Sequence, residues 1–197
     1  MRILVVRLGS LGDVIHTLPA VAALRRAMPD ARIDWLVDAP HQDIVGLVQA
    51  IDARVVLEGR TMNAWLNAAA ALRHRGYDAA LDFQGLFKSA ILARASGAAR
   101  VLGFSVWHLR ECGARAFYTQ TTARTAPSSP AADPHVIRKN LALAALVAPS
   151  IDRASAPLEF PLKVVPSGAV EQLKRSLGGE PFAVLNPGAA WPNKRWP

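Results

Sequence analysis

The feature of this sequence that most limits its fold is an alternation filling its first hundred residues. A short apolar run meets a turn, and a longer stretch with apolar residues at helical spacing follows. Arg2 to Arg7 (RILVVR) opens into Leu8-Gly9-Ser10-Leu11-Gly12-Asp13. Val14, Leu18, Val21 and Leu24 then recur at helical spacing as far as Met28, and Pro29-Asp30 ends the pattern. Pro19 falls inside that stretch. The spacing therefore predicts an irregular turn around His16-Thr17, with Thr17 as cap and Pro19 in the first helical turn, where its missing N–H costs nothing. Ile33 to Val37, Arg54 to Leu57, Ala79 to Phe83 and Val101 to Gly103 read as further strands. Helices are predicted over His41–Val48, Asn63–Arg73 and Leu86–Ala95. Strands alternating with helices form a parallel sheet covered on both faces, and unbroken apolar runs such as RILVVR suit its buried strands. The expected class is α/β with a doubly wound parallel sheet.

Past Gly103 the pattern loosens. Thr121 to Pro134 (TTARTAPSSPAADP) reads as an exposed loop, and His135 to Val147 as a helix with Asp133-Pro134 supplying cap and first turn. Ala148 to Ser167 carries prolines at 149, 157, 161 and 166 and reads as a linker; Ala169 to Leu177 is a helix ending at Gly178-Gly179. Phe182 to Leu185 is predicted to be a new strand, followed by the turn Asn186-Pro187-Gly188-Ala189-Ala190. The expected organisation is a domain over 1–148, a linker and helix over 149–180, and the first strand and loop of a second domain over 181–197.

Composition narrows the function. With 51% hydrophobic and 19% charged residues the 197-residue chain can build a core. One cysteine, Cys112, excludes a disulfide framework or Cys-rich zinc site, and the five histidines show no metal-ligand spacing. No apolar run reaches the roughly eighteen residues of a membrane-spanning helix, and the N-terminus does not read as a signal peptide; a cytosolic chain is expected. Twenty-three Lys and Arg against fifteen Asp and Glu leave a charge of +8, which suits an anionic partner. The basic residues are scattered and no aromatic-rich nucleic-acid motif accompanies them, so nucleic acid is not the expected partner.

Three segments could carry chemistry. In doubly wound folds, ligands bind beyond the carboxyl ends of the strands. The first turn there has the spacing G-x-x-G, which is neither a dinucleotide fingerprint nor a P-loop. Gly9 and Gly12 would let a ligand approach the backbone, and Asp13 reads either as a helix cap or as an ionised base at the crevice mouth. Asp82-Phe83-Gln84-Gly85-Leu86-Phe87-Lys88-Ser89 should open onto the same edge. Gln84 and nearby N–H groups could bind hydroxyls or a carboxylate; Lys88 is either a point charge for an anion or a solvated surface lysine. The third segment is Asn186 to Pro197, where Lys194, flanked by Trp191 and Trp196, could neutralise a diphosphate or simply belong to a tail.

Together these residues carry a resemblance. MRILVVRLGSLGDVIHTLPAVAALRRAMPDARIDWLV, YDAALDFQGLFKSA, His135 with Arg138, and NPGAAWPNKRWP resemble, in order, the lipopolysaccharide heptosyltransferases of glycosyltransferase family 9. The resemblance implies a GT-B architecture of two Rossmann-like domains facing a cleft, of which this chain holds the N-terminal half and only the start of the second. It implies a metal-independent, inverting transfer of heptose from ADP-heptose to Kdo of Kdo-lipid A, without a cofactor, on the cytoplasmic face of the inner membrane. Carried over residue by residue, Asp13 matches the base, Lys194 the lysine on the donor's phosphates, and Gly12, Gln84, Gly85 and Lys88 the acceptor side. The family's nucleotide-binding motifs would lie beyond Pro197, so the 197 residues alone are expected to fold but not to transfer sugar.

The chemistry agrees with that implication. Inverting transfer needs one carboxylate near the attacking hydroxyl and positive charge near the departing diphosphate. Two other readings stay open: a non-catalytic acceptor-binding fragment, and a related GT-B enzyme using another nucleotide sugar.

Overall fold

The computed structural model describes residues 1–123, 135–178, 180–185 and 188. Six strands form one sheet: β1 (Arg2–Val6), β2 (Arg32–Asp38), β3 (Ala53–Leu57), β4 (Ala79–Asp82), β5 (Arg100–Gly103) and β6 (Gln120–Thr121). Their order is β3-β2-β1-β4-β5-β6 and every pairing is parallel. Val6 stands opposite Leu36 on one side and Asp82 on the other, so β1 is central and its carboxyl end lies where the strand order reverses. The doubly wound, Rossmann-like expectation holds.

Helices cover both faces. On one, α1 (Leu11–Ala27) packs against α5 (Val136–Ala144) over Ile3, Val5, Ile33, Trp35 and Leu81. On the other, α3 (Met62–Arg73) and α4 (Phe87–Ala95) cover Leu4, Val6, Leu36 and Ala80. A short α2 (Gln42–Gly46) links β2 to β3.

Helix α1 corrects the predicted start. It begins at Leu11 with Ser10 as N-cap, so Pro19 sits in its interior and Thr17 caps nothing; the Thr17 hydroxyl donates instead to the Asp13 carbonyl at 2.8 Å. An interior proline costs about 3 kcal/mol. Val14, Leu18, Val21 and Leu24 are completely buried, each worth about 1.5–3 kcal/mol, so burial outweighs the proline.

Two more differences lie toward the C-terminus. The proline-rich stretch after Ala148 does not act as a free linker: the first compact unit runs Met1–Lys163. Leu162 bridges Val48, the Gln49 N–H donates to the Pro161 carbonyl at 2.8 Å, and the Lys163 N–H donates to the Leu47 carbonyl at 2.8 Å. Prolines suit such an edge because only some of its N–H groups are needed. The second unit, Val164–Pro197, contains α6 (Gly168–Ser176), capped by the Ser167 side chain. Phe182–Leu185 is not a strand, and Val184 and Leu185 are largely exposed. Among the described residues of that unit no other strand offers it a ladder. Asn186 and Pro187, with Lys194, lie outside the described residues.

Candidate active site

Three loops meet at the carboxyl ends of β1, β4 and β5. The first follows β1. Gly9 is required there by close approach: a Cβ would come within 2.6 Å of the His41 ring. Gly12, in the first turn of α1, is exposed, and a Cβ there would meet nothing within 4 Å, so it leaves open space rather than relieving a clash. Asp13 occupies the third position of α1 and its Oδ2 accepts from the Ser10 N–H at 3.4 Å and from the Ser10 hydroxyl at 3.3 Å. These long contacts are the capping role anticipated for an acid here.

Capping is the smaller part of its surroundings. Arg7 Nη2 lies 2.5 Å from Asp13 Oδ2, and Arg110 Nη2 lies 2.9 Å from the same oxygen. Burial pushes the Asp13 carboxyl up, but the guanidiniums of Arg7 and Arg110 outweigh it and hold the group below the usual carboxylate range. Asp13 is thus ionised, with all four contacts on Oδ2 and none to Oδ1 among the described residues.

The second loop, Asp82 to Leu86, braces the first. Asp82 is fully buried and accepts from the Gln84 N–H at 2.9 Å, the Gly85 N–H at 3.3 Å, the Ser89 hydroxyl at 2.8 Å and the Tyr118 hydroxyl at 2.6 Å. Burial nevertheless pushes its carboxyl above the ordinary value. The turn so fixed reaches back to β1: Phe83 O accepts from Arg7 Nη1, and Gln84 Oε1 accepts from the Leu8 N–H at 2.7 Å. Gly85 has φ +69°, and its carbonyl accepts the N–H groups of Arg110 at 3.1 Å and Glu111 at 3.2 Å, bringing in the third loop. Glu111 closes the ring by accepting the Phe87 N–H at 2.6 Å.

The predicted site residues therefore divide. Asp13, Gly12, Gln84 and Gly85 lie on the linked loops, with the Gln84 carbonyl oxygen committed to Leu8. Arg7, Gln84 and Arg110 line a cavity of about 140 Å³ together with His108, Lys139 and Asn140. Lys88 is elsewhere. It lines a separate pocket of about 650 Å³ with Asp38, Leu57, Arg60 and Trp65, on the side of β2 and β3. In that pocket burial pushes the Asp38 carboxyl up, against Lys88, His41 and Arg60. The segment Gln84 to Lys88 is thus not one lining: Gln84 lines the smaller cavity and Lys88 the larger pocket, while Phe87 between them stays tied to Glu111 of the third loop. His135 caps α5, and Arg138 Nη1 donates to the Arg153 carbonyl at 2.7 Å.

Sequence reasoning missed Arg7, Arg110 and Lys139. Arg7 left a readable trace, a charge closing the apolar run of the central strand; Arg110 and Lys139 left none.

The fold and the linked loops define a class: a doubly wound α/β domain whose ligand crevice, at the switch point, presents one ionised carboxylate flanked by arginines. Within it, this chain belongs to glycosyltransferase family 9 (heptosyltransferase), whose model matches residues 65–197. Lipopolysaccharide heptosyltransferase 1 of Pseudomonas aeruginosa is 32% identical over 212 residues, covering 100% of this chain and 55% of that protein. The Escherichia coli K12 lipopolysaccharide heptosyltransferase 1 is 37% identical over 102 residues, covering 47% of this chain and 32% of that protein. The chain thus spans about half or less of these relatives. Among solved structures, E. coli heptosyltransferase WaaC with ADP-2-deoxy-2-fluoro heptose matches with a TM-score of 0.72 and 25% identity, over 100% of this chain and 62% of that one. A Veillonella parvula glycosyl transferase family 9 structure has the same fold at a TM-score of 0.71, 22% identity, and 100% and 56% coverage.

Proposed function

We propose that this chain is the acceptor-side half of a metal-independent, inverting heptosyltransferase of lipopolysaccharide inner-core synthesis. The donor is ADP-heptose and the acceptor is Kdo of Kdo-lipid A. The observation that carries the reading is Asp13 at the switch point, held below the usual carboxylate range by Arg7 and Arg110, with Oδ1 unengaged among the described residues. The relatives named lipopolysaccharide heptosyltransferase 1, and the ADP-heptose analogue on the E. coli structure, support the donor.

In this mechanism the acceptor hydroxyl attacks the anomeric carbon. Its O–H proton passes to Asp13, the new C–O bond forms, and the bond to the diphosphate breaks with ADP taking the electron pair. Lys194 neutralises that diphosphate. Gly12, Gln84 and Gly85 shape the acceptor crevice and Lys88 attracts anionic groups of the lipid-linked sugar. The +8 charge suits attachment to the anionic inner leaflet at the cytoplasmic face of the inner membrane. No helix among the described residues is long and apolar enough to cross a membrane. The test is the Asp13→Asn variant in the enzyme at full relative length: kcat should fall by about 10²–10⁴-fold with folding intact. Turnover near wild type in a well-folded variant would return Asp13 to a helix cap.

A further inference from the structure

We infer that Arg7 is a positioning residue for this reaction, fixing Asp13 so that Oδ1 is the oxygen that takes the acceptor's proton. The inference rests on the reading of Asp13 as base.

Arg7 is 3% exposed and held from both sides of β1. Its N–H donates to the Leu36 carbonyl at 3.2 Å, its carbonyl accepts the Trp35 indole N–H at 3.0 Å, and its Nη1 donates to the Phe83 carbonyl. With the backbone held on β2 and Nη1 held on Phe83, Nη2 lies 2.5 Å from Asp13 Oδ2. Ser10 and Arg110 crowd the same oxygen. Among the described residues nothing engages Oδ1, and that oxygen remains for a substrate hydroxyl.

A second observation separates this arrangement from ordinary core packing. Arg7 Nε is buried without a hydrogen-bond partner, the one such side-chain atom among the described residues. A buried guanidinium with an orphaned N–H costs stability, and an apolar side chain of similar volume would fill the space better. Its retention is accounted for by what Nη2 does. Arg110 is a weaker holder of the same oxygen, because its side chain is 52% exposed against 4% for Arg7 and water screens it.

The proton step balances in this geometry. The hydroxyl O–H bond breaks as its oxygen bonds the anomeric carbon, the proton lands on Oδ1, and ADP departs with the electrons of the cleaved bond. Neutral Asp13 then leaves Arg7 as a buried, unpaired cation, which favours release of the proton to water and resets the base. The charged and titratable groups around the pair are Arg7 and Arg110 on Asp13, Asp82 acting on Arg7, Lys139 and His108 in the cavity lined by both arginines, and His41 packed over Gly9.

The experiment measures pH profiles of kcat in the full-length enzyme for Asp13→Asn, Arg7→Met and Arg7→Lys. Arg7→Met should lower kcat by about 10- to 100-fold, leave KM for ADP-heptose unchanged, and move the acid limb to higher pH, because burial of Asp13 persists while its nearest cation is gone. Arg7→Lys, which can reach Asp13 or Phe83 but not both, should recover part of the rate and return the limb most of the way. If Arg7→Met does not fold, the lysine variant carries the test alone, with an acid limb above that of wild type. Wild-type limbs in folded Arg7 variants, beside an inactive Asp13→Asn, would overturn this role alone. An active Asp13→Asn would overturn the base itself.

Discussion

The segments after β1 and β4 stand side by side, with Asp13 in the first turn of α1 and Asp82 closing β4, and the two carboxylates are poised in opposite directions. Asp82 is sealed from water and surrounded by four neutral donors, none of them a formal charge, and burial raises it. Asp13 is partly open and faces two guanidiniums, which lower it despite burial. The first arrangement organises backbone; the second keeps a carboxylate ionised, as the proposed base requires. Tyr118 belongs to the organising side, its phenol pushed up by burial and by Asp82 so that it stays a donor.

The comparison breaks most clearly at its reactive member. Asp13→Asn should cost about 10²–10⁴-fold in kcat in a protein that still folds, with a lowered unfolding midpoint because buried Arg7 loses its ion pair, and an unchanged rate would erase the distinction. Asp82→Ala should do the reverse in kind, orphaning four donors and destabilising the fold by about 3–5 kcal/mol in denaturant titration. A loss below about 1 kcal/mol would mean water replaces the carboxylate easily. Tyr118→Phe removes one donor to Asp82 and should cost about 1–2 kcal/mol by the same measurement. Smallest for stability is Lys88→Ala, expected within about 0.5 kcal/mol, since Lys88 only lines an open pocket. Its readout is binding to acidic Kdo-lipid vesicles, which should weaken and lose part of its salt dependence; unchanged salt dependence would remove Lys88 from the acceptor side.

Much of this was legible because the central strand is legible. RILVVR reads as a buried strand, and the alternation after it puts Asp13 and the Gln84-Gly85 turn on one sheet edge from the sequence alone. The start of α1 was not legible, because Pro19 obeys a local rule that burial of the α1 face overrides. The stretch 149–163 reads as linker by its prolines, yet it lies along the segment after α2 through contacts distant in sequence. Phe182–Leu185 has strand composition without a strand beside it among the described residues, and composition makes no ladder. At the site, the sequence indicates the carboxylate but not its arginines. Arg7 and Arg110 lie 103 positions apart and are brought to one oxygen only by the order of the sheet. Lys88 sits four residues beyond Gln84, yet α4 carries it to another pocket.

The opposite poise of the two aspartates can be measured directly, by carbon-13 NMR titration of the carboxyl groups in labelled protein, with Asp13→Asn and Asp82→Asn as assignments. Asp13 should titrate below the ordinary value of about 3.9 and Asp82 above it. The sign carries into stability. The ion pairs of Asp13 support the fold above the ordinary carboxylate range and are lost as pH falls through its lowered value. The contribution of Asp82 is present on the acid side and is lost as pH rises through its raised value. An Asp13 carboxyl that titrates at or above the value of Asp82 would contradict the account, because the crevice would then hold an acid where the mechanism requires a base.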